Sequence, residues 1–290
     1  MTSSVAALGL RPYVMGYGPH VAPMLARCPL PDARCVDIFD PAQQPFYQLV
    51  NAGNQLAFGG IGMPAWVQLD CATLPTAMIG FWAAREAIPE ALWAALLAQV
   101  GRVFGAAAEA EAARWSGPVP LSEYCAIPSA APETWVGYSL YTLAAQVEGL
   151  ARAGLGIRTK ALALACYGAR FQIGMTQYHN RAVQTHAAFG SLPILEPRAR
   201  PHTQPEQTFV YRLEVPPLER LRALIDRGQE GACPPEPLRG DDLCVEVAPA
   251  GVGAQVEALA RQHGPLTLLS PGVREGAGGA RLLWLRAQAP

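Results

Sequence analysis

The hydrophobic period changes twice between Trp135 and Thr176, and that change narrows the fold more than any other feature. "WVGYSLYTLA" has the composition of a strand, "ARAGLGIRTKALALA" opens a helix over Ile157–Tyr167, and "RFQIGMT" alternates again through Phe171, Ile173 and Met175. A further helix is expected over roughly Asn180–Phe189. Another strand-like piece, "PLSEYCAIP", directly precedes this run. Strand, helix, strand, helix after several antiparallel strands predicts a mixed α/β fold, with a mostly antiparallel central sheet flanked by helices.

Other elements follow from the same patterning. Pro12, Pro19, Pro23, Pro29 and Pro31 predict an irregular segment over residues 1–40. A helix is expected near "QQPFYQLVNAGNQLAFG", and "AWVQLDCATLPTAMIGFWAA" reads as two strands joined by a proline turn. Pro89–Arg114 is an alanine-rich helix with Leu92, Leu96, Val100 and Val103 on one stripe. Residues 194–207 carry three prolines and are expected as a loop, followed by the strand "TFVYRLEV". The last 75 residues suggest helix, strand, helix and two strands, a small α/β appendage over 216–290. The main domain is then 41–215, with a helical insertion near 86–120.

Composition removes several classes of function. Of the 290 residues 51% are hydrophobic and 16% charged, so a large core is expected. A net charge of −1 gives no global attraction to nucleic acid or to an anionic membrane. The seven cysteines include no Cys-x-x-Cys pair, which fits buried thiols in a reducing compartment. No leader pattern and no apolar run of about 20 residues is present, and a soluble, cytoplasmic protein is the expectation. The five histidines include no His-x-x-x-His pair, so no metal site is expected.

Gly154 and Gly156 stand where a strand feeds a helix. The first peptide N–H groups of a helix lack internal acceptors and favour an anion, and Arg152 and Arg158 lie nearby. The spacing fails the P-loop pattern, and Thr159 stands where the dinucleotide fingerprint needs a third glycine. The same turn could also serve only to begin a helix packed on a strand.

From Val136 to Gly190 the chain resembles the GNAT acyltransferases, the N-acetyltransferase superfamily. The resemblance rests on "WVGYSLYTLA", "ARAGLGIRTKAL", "FQIGMT" and "HNRAVQTHAAFG" in that order. It departs from the family pattern at Ala151 (usually Gln or Arg), His179 (Asn), His186 (Tyr) and Ser191 (Phe). The resemblance implies a GNAT-like fold and transfer of an acyl group from acetyl-CoA, or another acyl-CoA, to a small-molecule amine. An acyl carrier protein is an alternative donor. Leu155, Gly156, Ile157 and Arg158, with Arg152 and Gly154, would hold the pyrophosphate, and the strand end at Leu143 and Ala145 would orient the pantetheine. His186 would be the general acid and Glu123 the general base, with Glu133, His179, Tyr124, Tyr138 and Tyr141 as rivals. Two other readings stay open: a catalytically silent binding protein, and an acyl-homoserine-lactone-type synthase. A covalent route through Cys71 or Cys125 is the least expected.

Overall fold

The computed structural model describes residues 4–151, 153–200, 204–247 and 251–288. Strand β1 (Arg11–Gly16) runs through the expected irregular segment, followed by α1 (Gly18–Ala26) and β2 (Arg34–Asp37). The prolines there do not prevent regular structure. Pro19 sits in the first turn of α1, where its missing N–H costs nothing, and β2 pairs beside β1 in parallel. Helices α2 (Gln44–Ala57) and α3 (Ala65–Thr73) follow. The expected strand at "AWVQLDCAT" is therefore a helix: Gln68, Cys71 and Ala72 recur at three- and four-residue steps and are buried, while Trp66 and Leu69 are exposed.

Strand β3 (Met78–Ala83) leads to α4 (Glu90–Phe104) and α5 (Ala106–Ala113). The single expected helix is broken at Gly105, whose φ of 92° few other residues tolerate. Leu92, Leu96 and Val100 of its stripe are buried, and Val103 is exposed. Strands β4 (Val119–Pro128) and β5 (Thr134–Thr142) form an antiparallel pair, and α6 (Leu155–Tyr167) comes after the glycine turn.

The chain then continues through β6 (Phe171–Gln177), α7 (Ala182–Ala187), β7 (Leu192–Glu196) and β8 (Thr208–Glu214). After α8 (Leu218–Arg227) come β9 (Leu243–Glu246), α9 (Val252–His263), β10 (Leu266–Glu275) and β11 (Arg281–Ala287). These contacts divide the chain into two units. Met1–Ala169 and Pro217–Gly231 form the first, and Arg170–Pro216 and Ala232–Pro290 the second. That grouping differs from a division at residues 40 and 215: α8 joins the first unit, and β6 to β8 join the second.

In the first unit the strand order is β2-β1-β3-β4-β5, antiparallel except for the β1–β2 pair. Alternate residues of β4 point to opposite faces. Ser122 meets Thr159 of α6 on one face, and Glu123 meets Gln68 of α3 on the other. Tyr124 follows Ser122 onto the α6 face, and Cys125 follows Glu123. Helix α8 packs its buried Leu221, Leu224 and Ile225 within the same unit.

In the second unit the order is β6-β8-β7-β10-β11-β9, antiparallel throughout. The alternation in β6 is opposite to the hydrophobic expectation. Gln172, Gly174 and Thr176 are buried, whereas Phe171 and Ile173 are half-buried and Met175 is exposed. Tyr211, opposite Gly174 on β8, fills the space above that glycine, and its hydroxyl reaches the Gln172 amide at 3.5 Å. On the outer face the Arg212 guanidinium stacks 3.9 Å from the Phe171 ring centre. A groove of about 600 Å³ runs beside it, lined by Phe171, Ile194, Leu195, Arg212 and Pro265. Among the described residues no helix is long and apolar enough to cross a membrane.

Gly80 of β3 leaves no room for a side chain. A Cβ there would collide with the Ser122 carbonyl oxygen and lie 2.9 Å from the Tyr13 ring. Gly80→Ala is expected to cost about 2–3 kcal/mol, read as a lower urea midpoint with an unchanged slope.

Candidate functional site

The sheet face beneath α2 and α3 carries a row of polar groups. Tyr13 of β1 is opposite Gly80 of β3, Gly80 is opposite Glu123 of β4, and Glu123 is opposite Tyr141 of β5. Partners in antiparallel register share a face, so these residues lie side by side across four strands. The missing side chain at Gly80 gives the Tyr13 ring its space, and the Tyr13 hydroxyl donates to Ser122 O at 2.8 Å. Tyr13 and Tyr141 lie within mutual reach, both fully buried.

Helices α2 and α3 cover this row with amides rather than hydrocarbon. Gln68 Nε2 donates to Glu123 Oε2 at 3.2 Å, and Asn51 Nδ2 donates to Gln68 Oε1 at 2.9 Å. Asn54 Nδ2 donates to Ser139 Oγ at 2.8 Å, while its Oδ1 accepts from Met63 N at 2.7 Å. Gln55 Nε2 and Asn51 Nδ2 both donate to Met63 O. The connection into α3 is thus tied to α2, and α3 presents Gln68 to the carboxyl. Glu123 Oε1, Asn51 Oδ1 and the Tyr141 hydroxyl are left buried without a hydrogen bond. A buried polar group without a partner costs about 1–3 kcal/mol, so three in one network mark a place where a ligand or water gains.

The electrostatics follow from burial. Removal from water disfavours the Glu123 carboxylate and pushes its pKa up to about 8; the Gln68 hydrogen bond opposes the shift and Cys71 adds to it. A carboxyl in that range exchanges a proton near neutral pH, which is what a general base or acid requires. The Tyr13 and Tyr141 hydroxyls are driven well above the usual tyrosine range, first by burial and then by neighbours that include Glu123. Both stay neutral and able to donate.

The glycine turn is built differently from its expected use. Gly154 caps α6 with φ 64°, whereas Gly156 lies inside the first helical turn. A Cβ on Gly154 would stand 2.8 Å from Gln229 N, and one on Gly228 would stand 2.6 Å from Ala153 O. The two glycines let the segment after α8 pass directly against the turn. Arg158, only 2% exposed, donates Nε to Ala153 O at 2.6 Å and Nη1 to Ile225 O and Asp226 O at 2.6 and 2.7 Å. Its guanidinium caps the C-terminal carbonyls of α8, where a cation also meets the negative end of the helix dipole. It does not face outward.

The remaining expected residues are scattered. The side chains of Leu155 and Ile157 are buried, Leu143 is buried with its N–H on Leu121 O, and Ala145 is exposed in a short turn. Arg152 lies outside the described residues. His186, in α7 of the second unit, is 7% exposed with its ring centre 5.2 Å from that of Tyr211. Neither unit by itself brings His186 together with Glu123. Among the rivals, Glu133 and His179 are exposed, Tyr138 is 52% exposed, and Tyr124 faces α6. Only Tyr141 shares the row with Glu123. Cys71 and Cys125 are buried neighbours whose thiols shift each other's titration. Asn51, Asn54, Gln68 and Tyr13 were not singled out by the sequence pattern. The signal for the first two is "NAGNQ", three amides within a helix that is otherwise core.

No protein-family model matches the chain, and no curated protein matches its sequence.

Two substitutions test these environments. The folded-state pKa of Glu123 lies above the unfolded value, so its stabilising proton is fully held below about pH 4.5 and lost as pH rises through about 8. Stability should fall by up to one proton's worth per pH unit across that window, and Glu123→Gln should flatten the slope in denaturation series from pH 5 to 8. Arg158→Met should lower stability by about 2–3 kcal/mol by stripping three carbonyls, the buried one of Ile225 among them, of their donor, seen in thermal melts; a phosphate ligand facing solvent would leave the melting temperature nearly unchanged.

Proposed function

We propose that the chain is an acyltransferase of the GNAT type, which moves an acyl group from a thioester, acyl-CoA or a carrier-protein thioester, to a small-molecule amine. The single observation that carries the reading is Glu123, a buried carboxyl that titrates near neutral pH with one oxygen unpartnered. An amine acceptor arrives as an ammonium ion and must lose a proton before it can attack. Glu123 Oε1 is the acceptor for that proton. Gln68 holds Oε2 and so keeps Oε1 turned away from itself. Burial beneath α2 and α3 excludes water, which would otherwise compete with the amine for the acyl group.

Support for the donor side comes from the order β5, glycine turn, α6. The residues present fit a pyrophosphate through the backbone: the N–H groups of Leu155, Gly156 and Ile157 start a helix and lack intrahelical acceptors. Arg158 does not add its charge, because the α8 carbonyls hold it. The thioester, when bound, supplies the electrophilic carbonyl. The chain's own contribution is to take up the amine proton at Glu123 and to keep Tyr13 and Tyr141 neutral beside it.

The silent-binding reading has its own supporting observation, the close passage of Gly228 and Gln229 along the turn. Two measurements divide the readings. Acetyl-, malonyl- and long-chain acyl-CoA are each tested by thermal shift, where a ligand at 100 times its Kd stabilises by about 2.7 kcal/mol. Thiol release is then followed with a panel of amines. Turnover that rises with pH through a midpoint near 8, and falls about 10²–10⁴-fold in Glu123→Gln, is the expected result. A shift without thiol release supports binding alone, and no shift with any thioester or free coenzyme A overturns the coenzyme-A donor.

A further inference from the structure

The first unit holds two pairs of cysteines in thiol contact, and they differ in access. Cys28 lies just beyond α1 and is half-buried, while Cys166 is buried in the last turn of α6. Each thiol shifts the titration of the other, Cys28 downward and Cys166 upward, so the two side chains are near neighbours. Neighbouring contacts hold the two segments together independently of the sulfurs. Arg27 Nη1 donates to Tyr167 O at 3.3 Å, and the Arg27 side chain runs 3.6 Å from where a Cβ on Gly168 would stand. Residues 27–28 therefore lie along residues 166–168. The second pair, Cys71 of α3 and Cys125 of β4, has the same thiol contact but both members are buried.

We propose that Cys28 is a site of peroxide modification and that Cys166 resolves the oxidised sulfur into a Cys28–Cys166 disulfide. The Cys28 thiolate attacks one oxygen of hydrogen peroxide. The O–O bond breaks, Cys28 becomes a sulfenic acid, and the second oxygen leaves as hydroxide and takes a proton to form water. The Cys166 sulfur then attacks the Cys28 sulfur. The S–O bond breaks, and the departing oxygen leaves as a second water with the Cys166 proton. Two thiols and one peroxide become one disulfide and two waters.

The environment favours Cys28 over the two exposed thiols, Cys35 and Cys244. The neighbouring Cys166 thiol, helped by the Leu30 N–H and opposed by partial burial, draws the Cys28 thiol down to about 7. The thiolate is the reactive form, so much of Cys28 is competent at neutral pH. Cys35 and Cys244 are exposed, yet both thiols are pushed up, Cys35 by burial and Asp37, Cys244 by burial and Glu246. Exposure alone would select those two; the thiol contact selects Cys28.

The test uses the intact folded chain, treated with hydrogen peroxide, alkylated, and digested without reductant for mass mapping. The expected product is a linked Cys28–Cys166 peptide pair, with Cys71 and Cys125 still alkylated after denaturation. At neutral pH Cys28 should react at least about tenfold faster than Cys35 or Cys244. In Cys166→Ser a dimedone adduct should appear on Cys28 in place of the disulfide. In Cys28→Ser, a change at a half-exposed position, Cys166 should stay reduced. First oxidation at Cys35 or Cys244, sulfinic acid at Cys28 with no linked peptide, or a Cys28 inert to peroxide would each overturn the proposal.

Discussion

The first unit is organised around the removal of one carboxyl from water. Glu123 sits on an inner strand of a buried row, and an isolated carboxylate there would cost far more than one hydrogen bond returns. The fold answers by letting the group keep its proton, with the pKa up to about 8, and by lining the space with neutral amides and phenols. No cation hydrogen-bonds to Glu123 among the described contacts, and that is informative: an Arg or Lys partner would drive the carboxyl down and end its exchange near neutrality. Gln68 fixes one oxygen without supplying charge. The two helices over the sheet are then constrained in turn, because α3 must hold Gln68 in place and α2 must hold α3 through Met63.

The glycine turn shows the opposite use of a charged group. Arg158 is buried with its donors on three carbonyls, two of them at the C-terminal end of α8. That contact brings residues 217–231 into the first unit although 170–216 intervene in sequence. Gly154 and Gly228 make it possible, since a side chain on either would strike the other segment's backbone. The charge that the sequence set beside an anion site thus stabilises the backbone around it.

Much of this was legible from pattern alone. The strands β4, β5, β6 and β8 and the helix α6 fall where periodicity put them, whereas Glu123 was named only through the family resemblance, with five rivals. What failed did so for identifiable reasons. "AWVQLDCAT" mixes apolar and polar residues in a way that fits either period, and its helix is decided by what Gln68 and Cys71 meet on the sheet. Of the prolines in the first 40 residues, Pro12 is the second residue of β1, Pro19 opens α1 and Pro23 lies within it, while Pro29 and Pro31 stand in the connection to β2. The outward face of β6 could not be foreseen, because Tyr211, a residue 37 positions beyond Gly174, fills the inner side. In each case a long-range contact overrode local propensity.

The same reasoning separates the two kinds of buried polar group in this chain. Arg158 has its three carbonyl acceptors and holds the turn to α8. Glu123 and Asn51 each retain an acceptor that the chain does not satisfy, on the same amide relay through Gln68. A purely structural network gains nothing from leaving two acceptors open, since each lowers stability and apolar residues of similar size would avoid the cost. Open acceptors in a network whose other members are fixed are what a donor ligand requires, and an ammonium ion presents three N–H donors to them.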